Sequence, residues 1–418
     1  MIRVCFIAPL ARPLIEPAFQ CDFGGAEVRA LNFARGLARR RDCEVDFVLR
    51  SYRNEASRSV GEITAHFEKE TEPIPRTRDL PRDHTFLWKF GEIQLKKLQR
   101  KIEKRRERGE QIVPTAVPLF CDLPSDVLCV MGVHHYAANV VHSAKTSGKR
   151  SVLFLASETD LDERYNEHSL NDYRQQSHMC RFALQNADLI VAQTERQKSL
   201  LADRFNREST VIHNPIDLSK DNASEKAPIE GDYILWVGRA DTFSKRADKF
   251  LEIARRCKEV QFVGVMNRRD RGTFEKLMSD VPRNVHIVEQ VPYSKIEDYF
   301  ANAAALLNTS DAEGFPNAFL QAGKYGVPIL SLTVDPNEML SRHECGLLGR
   351  GDMTKMAVLL QQLWDQRKHT YRDLYSKNVS RYVTEHHAIG SRVDELQTAL
   401  NRMQLNREPS CSITPQAA

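Results

Sequence analysis

Glu313 opens EGFPNAFLQAGKYGVPIL (313–330), where an acid stands just ahead of a proline. Pro316 suits the first turn of a helix, in which its missing N–H would be unpaired anyway. Gly326 and Pro328 supply the stop. Phe315, Ala318, Phe319 and Ala322 recur at helical spacing, which predicts one apolar face. Ala322 and Gly323 are small enough to let that helix lie close on a sheet. Such a helix start aims unpaired N–H groups and a positive dipole end at an anion. Glu313 sits at the same mouth, where sugar hydroxyls would donate to its carboxylate. A nucleotide-sugar fits this chemistry, with its diphosphate on the helix end and its hexose on the acid.

Cations for that diphosphate come from WVGRADTFSKRADKFLEIARR (236–256), which reads as strand, loop and helix. Arg239 and Lys245 frame the loop at the carboxyl edge of a sheet, where nucleotides bind in α/β folds. An Arg grips a phosphate with two parallel hydrogen bonds, and a Lys acts as a point charge. Arg246 stands beside Lys245 as its alternative. An isolated pair of loop cations would more simply face solvent. Pairing with the acidic helix start downstream favours the binding role. Gly24 and Gly25, ahead of an amphipathic helix, let backbone approach a ligand closely, although a glycine pair is often a plain turn.

The elements that must position these residues alternate short apolar runs with amphipathic stretches, the signature of parallel sheets with crossover helices. Strands are predicted at VCFIA, VDFVL, VLCVM, SVLFLA, LIVAQ and TVIH in the first half. YILWVG, QFVGV, VHIVE, AALLN and VPILSL follow in the second. Polar residues 219–232 separate the halves, so the fold class is α/β with two Rossmann-like domains, 1–217 and 218–385. The periodic stretch 353–405 reads as two or three helices, and 406–418 as a disordered tail.

With 41% hydrophobic and 28% charged residues, the 418-residue chain has the composition of a soluble globular protein. A net charge of +4 gives no ground for a nucleic-acid partner. Nine cysteines without a C-x-x-C pair fit reduced thiols in a cytoplasmic protein. No apolar run approaches the ~18–20 residues of a membrane helix, and MIRVCFIAPL reads as a first buried strand.

The 313–321 element, E-x7-Q here, resembles the E-x7-E element of family-4 retaining glycosyltransferases, which have the GT-B fold of two Rossmann-like domains facing a cleft. The resemblance implies that Glu313 binds a sugar hydroxyl and that Gln321, in the second Glu position, meets the nucleotide ribose. Gln321 accepts a hydrogen bond but carries no charge. It further implies catalytic roles for Arg239 and Lys245, and donor contacts at Gly24, Gly25, Val291, Gly314, Phe315, Pro316 and Asn317. Residues 211–217, VIHNPID, match the stretch joining the domains, with His213 and Asn214 as hinge or turn residues. A terminal helix, 386–405, would cross back to the first domain. Retention of configuration and independence from metal or other cofactors are also implied.

The acceptor side departs from the pattern. Many relatives carry a His after the strand that here reads SVLFLASETDLDERY, so Ser157 or Glu158 takes that place. His134, Glu158 and Asp160 are the acceptor-side candidates, the acceptor being a glycan or lipid-linked sugar. Asp160-Leu-Asp162 spells the D-x-D of metal-dependent glycosyltransferases, but 56 acidic residues make such a triplet easy to meet by chance. Residues 88–108 carry nine Lys or Arg against three Glu beside a Leu95, Leu98, Ile102 stripe. They suit either an anionic membrane surface or a solvated helix packed on the domain. Three other readings fit parts of the chain: an epimerase of the same fold, a metal-dependent glycosyltransferase, and a non-catalytic sugar-nucleotide-binding subunit.

Overall fold

The computed structural model of the chain describes residues 1–19, 21–70, 113–166, 176–220, 228–268, 271–289, 291–367 and 370–405. The basic stretch 88–108 and the tail 406–418 lie outside the described residues. In the first half, strands run at β1 (Ile2–Ile7), β2 (Cys43–Ser51), β3 (Arg58–Val60), β4 (Ile63–Lys69), β5 (Val127–Met131), β6 (Arg150–Phe154), β7 (Leu189–Ala192) and β8 (Thr210–Val211). They form an eight-stranded sheet in the order β3-β4-β2-β1-β5-β6-β7-β8. Its ladders are parallel apart from the β3–β4 hairpin. In the second half come β9 (Ile234–Arg239), β10 (Phe262–Asn267), β11 (Val285–Glu289), β12 (Ala305–Asn308), β13 (Ile329–Ser331) and β14 (Gly346–Leu348). This sheet is wholly parallel, in the order β11-β10-β9-β12-β13-β14.

Every strand assigned from sequence is present; β3, β4 and β14 are additions. A parallel strand buried on both faces reads as an unbroken apolar run, as β5 (VLCVM) does. The β3–β4 hairpin lies at the sheet edge, and β4 interleaves Thr64, His66 and Glu68 with apolar residues, so the run signal is absent.

Both sheets are covered on two faces. One core of the first domain packs the helix Gly25–Ala38 against β1 and β2, and takes in Val393, Leu396 and Leu400 from the last helix, Ile389–Leu405. That helix therefore belongs to the first domain's core although it follows the second. It fits closely: a Cβ on Gly36 would lie 2.3 Å from Val393 Cγ2. Gly323, in the helix Asn317–Lys324, meets the helix Thr370–His387 rather than the sheet, because its Cβ would stand 2.2 Å from Val383 Cγ2. Its small size thus serves a helix–helix contact, a correction to the sheet contact expected from sequence.

The chain crosses between domains near Ile216 and returns near Ala388, and the two crossings pair in parallel. Ile216 N–H donates to the His387 carbonyl at 2.9 Å, and Ile389 N–H to the Ile216 carbonyl at 3.0 Å.

Overpacking a core costs about 1–3 kcal/mol, so Gly36→Ala should lower the unfolding free energy by that much, read as a lower urea midpoint. Adding Val393→Ala should recover part of the loss; strictly additive midpoints in the double variant would refute the contact.

Candidate active site

The strand β9 ends at Arg239, and the loop after it is shaped by Asp241, whose Oδ1 accepts the amide protons of Ser244 and Lys245 at 2.8 Å each. Thr309, past β12, lies 2.9 and 3.0 Å through Oγ1 from the carbonyls of Lys245 and Arg246, and accepts from Trp236 Nε1 at 2.9 Å. Held from both sides, the loop projects Lys245 Nζ onto Glu313 Oε1 in a hydrogen-bonded ion pair. Arg239 is held loosely, its Nε 3.4 Å from Asp241 Oδ2. Arg246 adopts a left-handed backbone (φ 54°) and spends its guanidinium on Asp248 and Asp311. Lys245, not Arg246, is therefore the cation facing Glu313.

Beyond Glu313 the loop meets the first domain. Phe315 N–H donates to Gln193 Oε1 at 2.7 Å, and its carbonyl accepts from Asn214 Nδ2 at 3.1 Å. A Cβ on Gly314 would lie 2.7 Å from Gln193 Oε1, so any larger residue would have to displace that side chain. Asn317 reaches the glycine loop, its Nδ2 donating to the Gly25 carbonyl at 2.9 Å. The Phe315 amide, expected from sequence to face an anion, is thus occupied by a side chain of the opposite domain. The amides of Asn317 and Ala318 open the helix that follows Pro316.

The glycine loop is fixed by Arg29, one turn into its helix and buried. Its guanidinium donates to the Leu155 and Ile212 carbonyls at 2.7 and 3.2 Å. Burial pulls Arg29 down to about 9, opposed by Asp160. Val291 is half-buried, packed with the second domain's core. Gln321 is half-buried and hydrogen-bonds Tyr293, whose hydroxyl burial pushes up to about 12. The Tyr293 ring meets Phe23, ahead of Gly24, edge-on at 6.0 Å across the cleft.

The acceptor-side candidates are more locally engaged. His134 caps the helix His135–Thr146, accepting the Ala137 amide at Nδ1 (3.0 Å) and donating from Nε2 to the Met131 carbonyl (3.1 Å). Burial holds it neutral, down to about 4. Asp160 Oδ2 accepts the amides of Ala156 and Ser157 at 2.6 and 3.3 Å, and burial raises it to about 6. Both side chains serve as caps. Asp162 holds Arg164, so the D-x-D acids are separately committed. Glu158 accepts from Arg196 Nε at 2.8 Å and is 31% exposed, which leaves it open to a ligand.

Gln193 and Asn214 were not legible as site residues. Gln193 has one signal in hindsight: it is the polar residue following a buried strand at a sheet's carboxyl edge. Asn214 is tied to the crossing, its carbonyl accepting from His387 Nδ1 at 2.8 Å. His387 is fully buried, its ring 4.3 Å from that of Phe315 and stacked on His213 at 5.2 Å.

Residues 23–220 match the family model described as Glycosyltransferase Family 4, and residues 231–366 the one described as Glycosyl transferases group 1. Over 122 residues the chain is 26% identical to Glycosyltransferase 1 domain-containing protein 1 of Xenopus tropicalis, a match spanning 29% of this chain and 35% of that relative. Among solved structures it is similar to the sucrose-phosphate synthase of Thermosynechococcus elongatus, with a TM-score of 0.72, 14% identity, and 97% and 100% of the two chains covered. HepE of Anabaena, solved with UDP and glucose, gives a TM-score of 0.64 at 12% identity, covering 96% of this chain and 100% of its own. At such identities the likeness is one of fold.

Burial, then Arg392, lowers His213 from 6.5 to about 4. The folded state thus resists a proton that the unfolded chain accepts, so stability should be full above pH ~6.5 and fall towards pH ~4. Unfolding free energies from urea titrations should show this slope reduced in His213→Gln, by up to about 1.4 kcal/mol per pH unit; an unchanged slope would contradict the assignment.

Proposed function

The chain belongs to the GT-B glycosyltransferases of the family-4 type, and from that premise we propose that it moves a hexose from a nucleoside diphosphate to a hydroxyl acceptor with retention of configuration. The contact between Lys245 and Glu313, at the loop that Asn317 ties to Gly25, carries the proposal. An anionic donor entering there would take Lys245 and Arg239 through its diphosphate and leave Glu313 free to accept from a sugar hydroxyl. The amides of Asn317 and Ala318 would add the helix end to the same phosphate. Gln321, paired with Tyr293, would meet the ribose.

Charge grows on the diphosphate as the glycosidic bond breaks, and preorganised cations stabilise that charge more than they stabilise the bound donor. The acceptor oxygen attacks from the face the diphosphate leaves, so the C–O bond formed has the configuration of the one broken. Its proton passes to a phosphate oxygen of the departing group. Domain closure keeps water from competing. No metal enters this scheme. A glycan or lipid-linked sugar acceptor in surface polysaccharide or glycoconjugate synthesis, handled in the cytoplasm or at its membrane face, is the setting proposed.

Thermal stabilisation by a panel of UDP-, GDP- and ADP-sugars, with and without EDTA, tests the donor. Saturation at 100 times Kd should add about 2.7 kcal/mol to stability, indifferent to EDTA. Lys245→Ala and Glu313→Ala should each lower turnover about 10²–10³-fold. Failure of every sugar nucleotide to raise the melting temperature would defeat the proposal, and loss of binding in EDTA would favour the metal-dependent alternative.

A further inference from the structure

Gln193 is almost fully buried at the carboxyl end of β7, in the domain opposite the donor loop. Its carboxamide is aimed by one further bond, from Nε2 to the Leu155 carbonyl at 2.6 Å, while its backbone N–H donates to Gln197 Oε1 at 2.8 Å. That leaves Oε1 pointing at the Phe315 N–H, 2.7 Å away. Asn214 Nδ2 takes the other side of the same residue through its carbonyl and also lies 3.3 Å from Asn317 Oδ1. Phe315 stands two residues after Glu313 and two before Asn317. One peptide is therefore clamped between the acid that meets Lys245 and the amide that meets Gly25.

We infer that Gln193 is a positioning residue, which sets the donor loop from across the cleft and so couples domain docking to assembly of the Glu313–Lys245 site. The inference rests on the proposed donor chemistry and deepens it. Because Gln193 and Phe315 belong to different domains, their bond exists only while the domains are docked. Parted domains leave the Phe315 N–H without this acceptor, and the loop loses its fixed direction. Gly314 is built for the contact, since any side chain there would meet Gln193 Oε1 and Gln197 Nε2, at 2.7 and 2.9 Å from a Cβ. Gln197 Nε2 and Asn214 Oδ1 are buried with no hydrogen-bond partner. This spare donor and spare acceptor mark a seam between docked bodies, not a core satisfied within one.

Misplacing a reacting group by about 1 Å costs on the order of 10²-fold in rate, whereas the nucleotide contacts proposed above lie chiefly on the second domain. Gln193→Met conserves volume and removes both polar atoms. At saturating sugar nucleotide, the initial rate of nucleoside diphosphate release should fall about 10–100-fold, while the Kd for the nucleoside diphosphate alone stays within about twofold. A release rate within about threefold of wild type would overturn the inference, as would a Kd that weakens in step with the rate. Should Gln193→Met fail to fold, Asn214→Leu removes the bond on the other side of Phe315 and must show the same split. Wild-type protein that binds no sugar nucleotide would sink the donor proposal itself. Wild-type binding and turnover matched by the variants would sink this inference alone.

Discussion

Glu313 and Lys245 neutralise each other in a half-buried cleft, and most of the surrounding architecture exists to bring them there. Asp241 bends the loop after β9 so that Lys245 leaves it in the right direction, and Thr309 fastens the same loop to the end of β12. Between the bulk-water and protein-surface limits, opposite unit charges 4 Å apart interact by about 1–4 kcal/mol. A carboxylate can be displaced from such a pair by a more highly charged anion, provided the acid then finds hydroxyl donors. The resting ion pair therefore keeps both groups oriented without locking the site. Arg246, one residue on, does the opposite: with Asp248 and Asp311 it forms a closed cluster that braces the helix Ala247–Arg256.

A second layer of organisation passes through backbone instead of charge. Asn214 links the donor loop to the inter-domain crossing, accepting from His387 with its carbonyl while its side chain holds Phe315. The Phe315 ring lies on His387, so loop and crossing share one packed unit. Burial keeps His387 well below the ordinary histidine range, and the nearby His213 adds to that. A neutral imidazole is the form this crowded position accommodates.

Much of this was legible beforehand for identifiable reasons. Buried parallel strands announce themselves as apolar runs, and the helix after Pro316 announces itself through Gly326, which has a φ of +66°. That Glu313 and the cations after β9 share one cleft was expected from chemistry at a sheet edge, whereas their direct ion pair was not. The hydrogen-bond partner of the Phe315 amide did not, because a main-chain donor leaves no mark on the sequence and Gln193 lies 122 positions away. The capping bonds of His134 and Asp160 escaped the sequence for a related reason. Polar side chains near strand ends serve caps as readily as ligands, and only their bonds to Ala137 and Ala156 separate the two. The edge hairpin β3–β4 escaped notice because half-exposed strands mix polar and apolar positions.

The pairing of Ile216 with Ala388 has a mechanical corollary. Two covalent connections lying side by side and laced by main-chain hydrogen bonds define a single line about which the lobes turn. Swinging about that line leaves the lacing intact, whereas sliding or shearing would tear it. Lobes that parted about such a line would have one coordinate to travel and would meet again at the same residues.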